Sequence, residues 1–342
     1  MIACMGEIML RFRPEPDCML LTQTNNFYVD PGGSESNVAI VLSRLGHETT
    51  MLTGLPDNPL GQRVIAYLRS HGVDTGKIAL SDSGRMGLYF TEKGSGHRPS
   101  RVIYDREGSV YNFLDDLVKD PDEWLSNCDW LHLSGIALAT SRRAAEFVLS
   151  LARSAHEKDI GISLDINHRK LLWRWCKGER ERLDCLMELA EKATILAGNE
   201  TDLEEGLFGG SFTDESAMIS GLAGIAVKGN LKWAAISLRE SGQADVNSFG
   251  GLIYDFRDDQ NAPLKYLAKP RTVTRIVDRV GTGDAFCGAV LDGFLKGMDP
   301  GKCLERAVLL GTLMHGISGD ACQINGNFLE QCLTDDSGRI IR

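Results

Sequence analysis

The sequence predicts an α/β fold: a doubly wound, mostly parallel sheet flanked by helices, with a small β-sheet lid. Three observations predict it. From residue 129 onward, short apolar runs alternate with stretches of helical period, the pattern of βαβ units. Residues 84–113 interrupt that order with two strand-like runs, 86–91 and 101–104, joined by a Gly-, Ser- and Pro-containing turn. Such a hairpin insertion is a natural lid. Near the C-terminus, Asp278-Arg279-Val280-Gly281-Thr282-Gly283-Asp284 opens a long apolar helical segment.

Taken in order, residues 2–12 read as a buried first strand and residues 13–31 as polar and irregular. Pro31-Gly32-Gly33-Ser34-Glu35-Ser36-Asn37 then precedes Val38, Ala39, Val41, Leu42 and Leu45 at helical spacing, and Gly46 ends that helix. Two glycines let a backbone approach a ligand closely, and Asn37 can point to the same place. A tight turn with a polar cap fits the same residues. Residues 49–54 read as a strand and 61–72 as a helix with Val64, Ile65 and Leu68 inward. The lid carries Tyr89, Tyr104 and Arg106, suited to closing over a polyhydroxy acid, or equally to a cross-strand tyrosine pair beside a solvated arginine.

Strands follow at 130–134, 161–167, 193–197 and 232–238, with helices at 142–156 and 179–193. In parallel α/β sheets, ligands gather beyond the carboxyl ends of the strands. Asp165, Asn167 and Arg169 fall at such an end, and Arg239-Glu240-Ser241-Gly242 follows the strand at 232–238. His132 and His168 read as structural. Gly198-Asn199-Glu200-Thr201-Asp202 caps the next helix; Asn199 fits a helix cap or a contact to a phosphate–magnesium–water shell. Further strands are expected at 249–256 and 270–277, and two closing helices at 285–296 and 302–317, before Ser318-Gly319-Asp320.

The Gly281-Thr282-Gly283-Asp284 stretch is where chemistry is most legible. A Gly-x-Gly turn at a helix start leaves N–H groups unpaired, with the positive end of the helix dipole behind them, which suits phosphate. A carboxylate there repels such a ligand unless it takes a proton from a hydroxyl attacking a phosphoryl group. An ordinary capped turn fits the same four residues. Phe286 replaces the third glycine of a dinucleotide fingerprint, and no Gly-x4-Gly-Lys-[Ser/Thr], His-Glu-x-x-His or Gly-x-Ser-x-Gly occurs.

Bulk properties narrow the class. The chain has 342 residues, 43% hydrophobic and 25% charged, as expected of a globular protein. A net charge of −10 argues against nucleic acid or an anionic membrane surface as partner. No apolar run approaches a membrane span, and the N-terminal pattern is that of a strand, not a leader. Nine scattered cysteines without a Cys-x-x-Cys read as reduced thiols of a cytoplasmic protein.

Gly32-Gly33-x-x-x-Asn37-x-Ala39 resembles the N-terminal signature of the ribokinase-like (PfkB) carbohydrate kinases, and Asp278-x-x-Gly281-x-Gly283-Asp284 resembles their C-terminal one. Asn199-x-x-Asp202 resembles their Asn-x-x-Glu magnesium motif, with a carboxylate one methylene shorter. Order and spacing agree over nearly the whole chain. Arg279, Tyr89, Tyr104-x-Arg106, Asp165-x-Asn167-x-Arg169 with Trp173, and Gly319-Asp320 look most like the 2-keto-3-deoxygluconate kinase branch.

The resemblance implies one kinase domain over 1–342, with lid insertions near 8–31 and 84–113. It implies transfer of the γ-phosphoryl group of ATP, with Mg2+, to the terminal hydroxyl of 2-keto-3-deoxygluconate. Asp284 would be the base, with Gly281, Thr282 and Gly283 as the anion hole. Gly33, Asn37, Tyr89, Tyr104, Arg106, Arg169 and Asp320 would hold the sugar acid. Asn167, Asn199, Ser237, Arg239 and Gly242 would line the nucleotide side, and Asn199 and Asp202 would reach the metal through water. Thr282 stands where the family usually has Ala, and Arg239 where it commonly has Gly. A homo-oligomer is expected, since lid strands in this architecture often pair between subunits. The rival expectations are a kinase for fructose, another ketodeoxy-sugar or a nucleoside, and a non-catalytic sugar or nucleotide sensor on the same fold.

Overall fold

A computed structural model describes residues 1–243 and 246–334. Its strands are β1 (Ile2–Met5), β2 (Met9–Pro14), β3 (Phe27–Gly32), β4 (Thr49–Pro56), β5 (Ile78–Ser81), β6 (Gly87–Glu92), β7 (Arg101–Asp105), β8 (Trp130–Ser134), β9 (Gly161–Asp165), β10 (Ile195–Asn199), β11 (Trp233–Gln243), β12 (Val246–Asp255) and β13 (Leu264–Val273). Among the described residues, nine of them form one sheet in the order β13-β12-β11-β10-β9-β8-β1-β4-β5. Every pairing from β11 across to β5 is parallel, while β12 and β13 add an antiparallel edge. The remaining four form a separate sheet, β3-β2-β6-β7.

Strand alternation divides the core into two layers. Ala3 and Met5 of β1 enter one apolar cluster with the helices Arg142–Glu157, Glu179–Ala190 and Glu215–Lys228. Ile2 and Cys4 enter the other, with the helices Ser34–Arg44, Pro59–Ser70, Thr282–Leu295 and Pro300–Met314. Successive residues of a strand point to opposite faces, so a sheet covered on both faces reads as a continuous apolar run. Both clusters take residues from β8, β10 and β11 in the same alternating way.

The structure corrects several boundaries. Residues 2–12 are two strands in two different sheets. Gly6 lies between them, tight against Glu35, so the chain leaves the large sheet at Met5 and enters the small one at Met9. Residues 27–32, expected to be irregular, form β3, because β2 offers them an antiparallel partner with Met9 opposite Gly32. The last strand runs Leu264–Val273, and 274–277 lies outside it. A third closing helix, Gly326–Thr334, follows the two expected ones and buries Leu329. Of the helices described, none is long and apolar enough to cross a membrane.

Candidate active site

Strand direction assembles the site. The carboxyl ends of β1, β8, β9, β10 and β11 deliver Glu7, Ile136, Asp165, Asn167, Gly198, Asn199, Ser237 and Arg239 to one side of the sheet. The small sheet covers that side with Arg11, Tyr89 and Tyr104. Between them lies a cavity of about 620 Å3. It is lined by Asp284, Gly281, Thr282, Gly283, Gly33, Asn37, Tyr89, Tyr104, Arg106, Arg169, Asp320, Asn167, Asn199, Asp202, Ser237 and Arg239, residues drawn from nearly the whole length of the chain. Gly242 lies near the end of β11, and its surroundings fall outside the described residues.

Asp284 sits in the first turn of the helix Thr282–Leu295, 8% exposed. Its Oδ1 accepts from the Ser34 hydroxyl at 2.8 Å and its Oδ2 from the Asn37 amide at 2.7 Å. The Asn167 amide donates in turn to Ser34 at 3.1 Å. Burial pushes the Asp284 carboxyl above the usual carboxylate range; those hydrogen bonds and the Arg169 and Arg239 charges oppose it. The two glycine motifs, some 250 residues apart, therefore meet side chain to side chain.

Gly281 caps the helix with φ 78°, the left-handed region, and a Cβ there would collide with the Asp320 carbonyl oxygen. The first backbone bond at this end runs from Ala285 N–H to the Gly281 carbonyl, 2.8 Å. The amides of Thr282 and Gly283 precede it, and both residues line the cavity. Thr282 buries its side chain, and its hydroxyl donates back to the Arg279 carbonyl at 3.1 Å, which takes it out of the amide turn. Gly33 has extended backbone, but a Cβ there would strike the Glu7 carbonyl.

Cations surround this carboxylate. Arg169 is held on left-handed backbone, φ 41° and ψ 62°, and Asn167 has φ 33°. The guanidiniums of Arg169 and Arg239 make no hydrogen bond or ion pair to protein among the described residues. Arg239 lies over the Phe249 ring at 5.4 Å. Its surface is open to the cavity, but the enclosing protein still desolvates it; that and the Arg169 charge lower its pKa. Arg106 differs. Its guanidinium is already held by Glu7, with Nε 2.7 Å from Oε2, and Nη1 is buried without a hydrogen-bond partner among the described residues. Tyr104 stacks on Tyr89 with ring centres 6.0 Å apart. Tyr89 donates its hydroxyl to Asp320, whose carboxyl burial raises to about 6 against the pull of Arg11.

Asn199 and Asp202 cap one another: Asp202 N–H donates to Asn199 Oδ1 at 2.9 Å, and Asn199 N–H to Asp202 Oδ2 at 3.2 Å. Asp202 Oδ1 also accepts from His168 N–H at 2.9 Å. Asp165, beside them, has a carboxyl pushed well above its usual range by burial and then by Asp202 and Asp284. Among the described residues no cluster of three or more His, Cys, Asp or Glu side chains could form a closed metal cage. The oxygen donors of Asn199 and Asp202, already engaged, fit a hydrated hard cation that takes its other ligands from phosphates. Ser237 donates to the Gly198 carbonyl at 3.4 Å, tying β11 to β10 at the cavity edge.

Four residues of the site carry no functional expectation in the sequence: Ser34, Glu7, Glu35 and Arg11. Ser34 stands inside the glycine motif. Glu7 and Arg11 are charges inside an apolar strand pattern, and that mismatch is a signal legible in the sequence itself.

Residues 1–322 match the family model described as pfkB family carbohydrate kinase. The chain is similar to the 2-dehydro-3-deoxygalactonokinase of Haloferax volcanii, 29% identical over 339 residues, with 98% of each chain covered. It is 29% identical over 308 residues to the 5-dehydro-2-deoxygluconokinase of Clostridium perfringens, covering 89% of this chain and 83% of the relative. Among solved structures, the 2-dehydro-3-deoxygluconokinase of Thermotoga maritima superposes with a TM-score of 0.87 at 33% identity, covering 98% of this chain and 99% of the other.

Proposed function

Because the chain belongs to the pfkB family of carbohydrate kinases, we propose that it transfers the γ-phosphoryl group of ATP to the terminal hydroxyl of 2-keto-3-deoxygluconate. One observation carries the reading. A buried carboxylate, Asp284, lies at the amide-rich start of a helix, facing a cavity in which the Arg169 and Arg239 guanidiniums have no hydrogen-bond or ion-pair partner among the described residues. Two unpaired guanidiniums beside an acid call for an anionic ligand, and two charged groups on the ligand side, a triphosphate and a sugar carboxylate, would engage them.

In this reading the sugar hydroxyl attacks the γ-phosphorus. The new O–P bond forms as the bond to the β-phosphate oxygen breaks, releasing ADP, and the hydroxyl proton passes to Asp284. Ser34 and Asn37 hold both oxygens of that carboxylate, so it meets the hydroxyl in one orientation. The amides of Gly281, Thr282 and Gly283 stabilise the migrating phosphoryl group. Asn199 and Asp202 would hold Mg2+ through water; the bound ion would offset charge on the phosphates. Asn167, Ser237, Arg239 and Gly242 are assigned to the nucleotide side. Gly33, Tyr89, Tyr104, Arg106, Arg169 and Asp320 are assigned to the sugar acid.

A panel of ATP-coupled assays with sugar acids and neutral sugars tests this. Turnover should be confined to 2-keto-3-deoxy acids and their epimers; fructose or a nucleoside turned over faster would replace the substrate assignment. Asp284→Asn should bind both substrates by calorimetry yet lose kcat by roughly 100- to 10,000-fold. A kcat near that of the unmodified chain removes Asp284 as the base.

A further inference from the structure

Arg11 stands on β2 of the small sheet, 4% exposed, and belongs to neither glycine motif. Its guanidinium nevertheless joins three separate pieces of the site. Nη1 lies 2.8 Å from Asp278 Oδ2 and 2.7 Å from Asp320 Oδ1, and Nε donates to the Thr91 hydroxyl of β6 at 2.9 Å. A buried arginine is tolerated only where acceptors meet its donors and carboxylates its charge.

Each of those carboxylates leads on to the phosphoryl site. Asp278 Oδ1 accepts from the N–H groups of Arg279 at 2.8 Å and Val280 at 3.1 Å, fixing the turn that enters Gly281. Asp320 takes the Tyr89 hydroxyl from the small sheet, while its own main-chain carbonyl fills the space where Gly281 would carry a Cβ. One cation on the small sheet therefore holds both the approach to the amide turn and the segment that buttresses it. With two carboxylates on the same nitrogen, its charge is already neutralised within the protein.

We infer that Arg11 is a positioning residue for phosphoryl transfer, coupling the seating of the small sheet to the shape of the Gly281–Gly283 amide turn. The inference rests on the kinase reading above. It places Arg11 behind the reacting groups, acting through Asp278 and Asp320.

The test uses the full chain with Arg11→Met and Arg11→Lys. Arg11→Met should lower kcat roughly 10- to 100-fold while KM for ATP and for the sugar acid changes by less than about threefold. Arg11→Lys, which can reach only part of the same set of acceptors, should recover part of that loss. Amide hydrogen exchange, read without substrate, should speed up at least about tenfold in segment 278–284 of Arg11→Lys relative to the helix Pro300–Met314. A rise in KM for the sugar acid with kcat retained would make Arg11 a substrate ligand and overturn the inference. Unchanged exchange in that segment would overturn it too, even if Arg11→Met failed to fold. The unmodified chain's turnover of sugar acids judges the kinase reading separately.

Discussion

Arg169 presents its charge from a left-handed backbone position, and Asn167 two residues earlier shares that geometry. Non-glycine residues held there cost about 1–3 kcal/mol each, and such strain clusters where a side chain must be aimed. Arg169→Ala is expected to reduce kcat/KM for sugar acids roughly 10- to 100-fold, the loss of a charge-assisted hydrogen bond, and to change neutral sugars less than about threefold. Equal loss on both classes in steady-state assays would argue against a carboxylate at Arg169. Glu35 is a different kind of residue. It is 1% exposed, accepts from Ser134, and leaves Oε2 without a hydrogen-bond partner among the described residues. Burial raises its carboxyl from 4.5 to about 7, with Asp284 adding to the rise and Arg106 opposing it. The folded value lies above the unfolded one, so folding favours the protonated form. That contribution is fully present below 4.5 and is lost as pH rises through about 7. Glu35→Gln should gain on the order of 2 kcal/mol above neutral pH and flatten the decline below it, measured by urea unfolding across pH.

The helix Thr282–Leu295 depends on one residue for its start. Gly281 combines positive φ with a neighbour that excludes any Cβ, whereas Gly319 has φ 99° but open space around it. Gly281→Ala should destabilise by about 2 kcal/mol or more and also depress kcat, because the amide turn must shift away from Asp320. Gly319→Ala should cost only the conformational part, about 1 kcal/mol, with kcat retained. Thermal midpoints and kcat for the two variants separate the cases. At this scale much is legible in the sequence. Its apolar period places a helix at 142–156 where Arg142–Glu157 is found, and one at 61–72 where Pro59–Ser70 is found, because each helix carries its own period and cap. The split at Gly6 is not legible there, because an unbroken apolar run looks the same whether it serves one sheet or two.

Across the whole molecule, the large sheet fixes the site floor and the small sheet its roof. The outer strand of the roof, β7, leaves Val102 46% and Ile103 55% exposed and has only β6 beside it among the described residues. Unpaired edges with apolar side chains invite pairing with another chain, which supports the proposed homo-oligomer. Replacing Val102 and Ile103 together by Lys should lower the mass measured by analytical ultracentrifugation; an unchanged mass would place any assembly on another face.

Local periodicity and turn chemistry were enough for the layer architecture, the existence of an insertion, and the two glycine motifs with their acid, because each is written in residues that are neighbours along the chain. The pairings came only from folding: Ser34 and Asn37 on Asp284, Glu7 on Arg106, Arg11 between Asp278 and Asp320. Those partners lie 99 to 309 residues apart, and a charge in a sequence carries no mark of which opposite charge packing will bring to it. That is why Arg106 and Arg169 look alike in the sequence, while both reach the cavity and folding pairs only Arg106 with a carboxylate, Glu7, among the described residues.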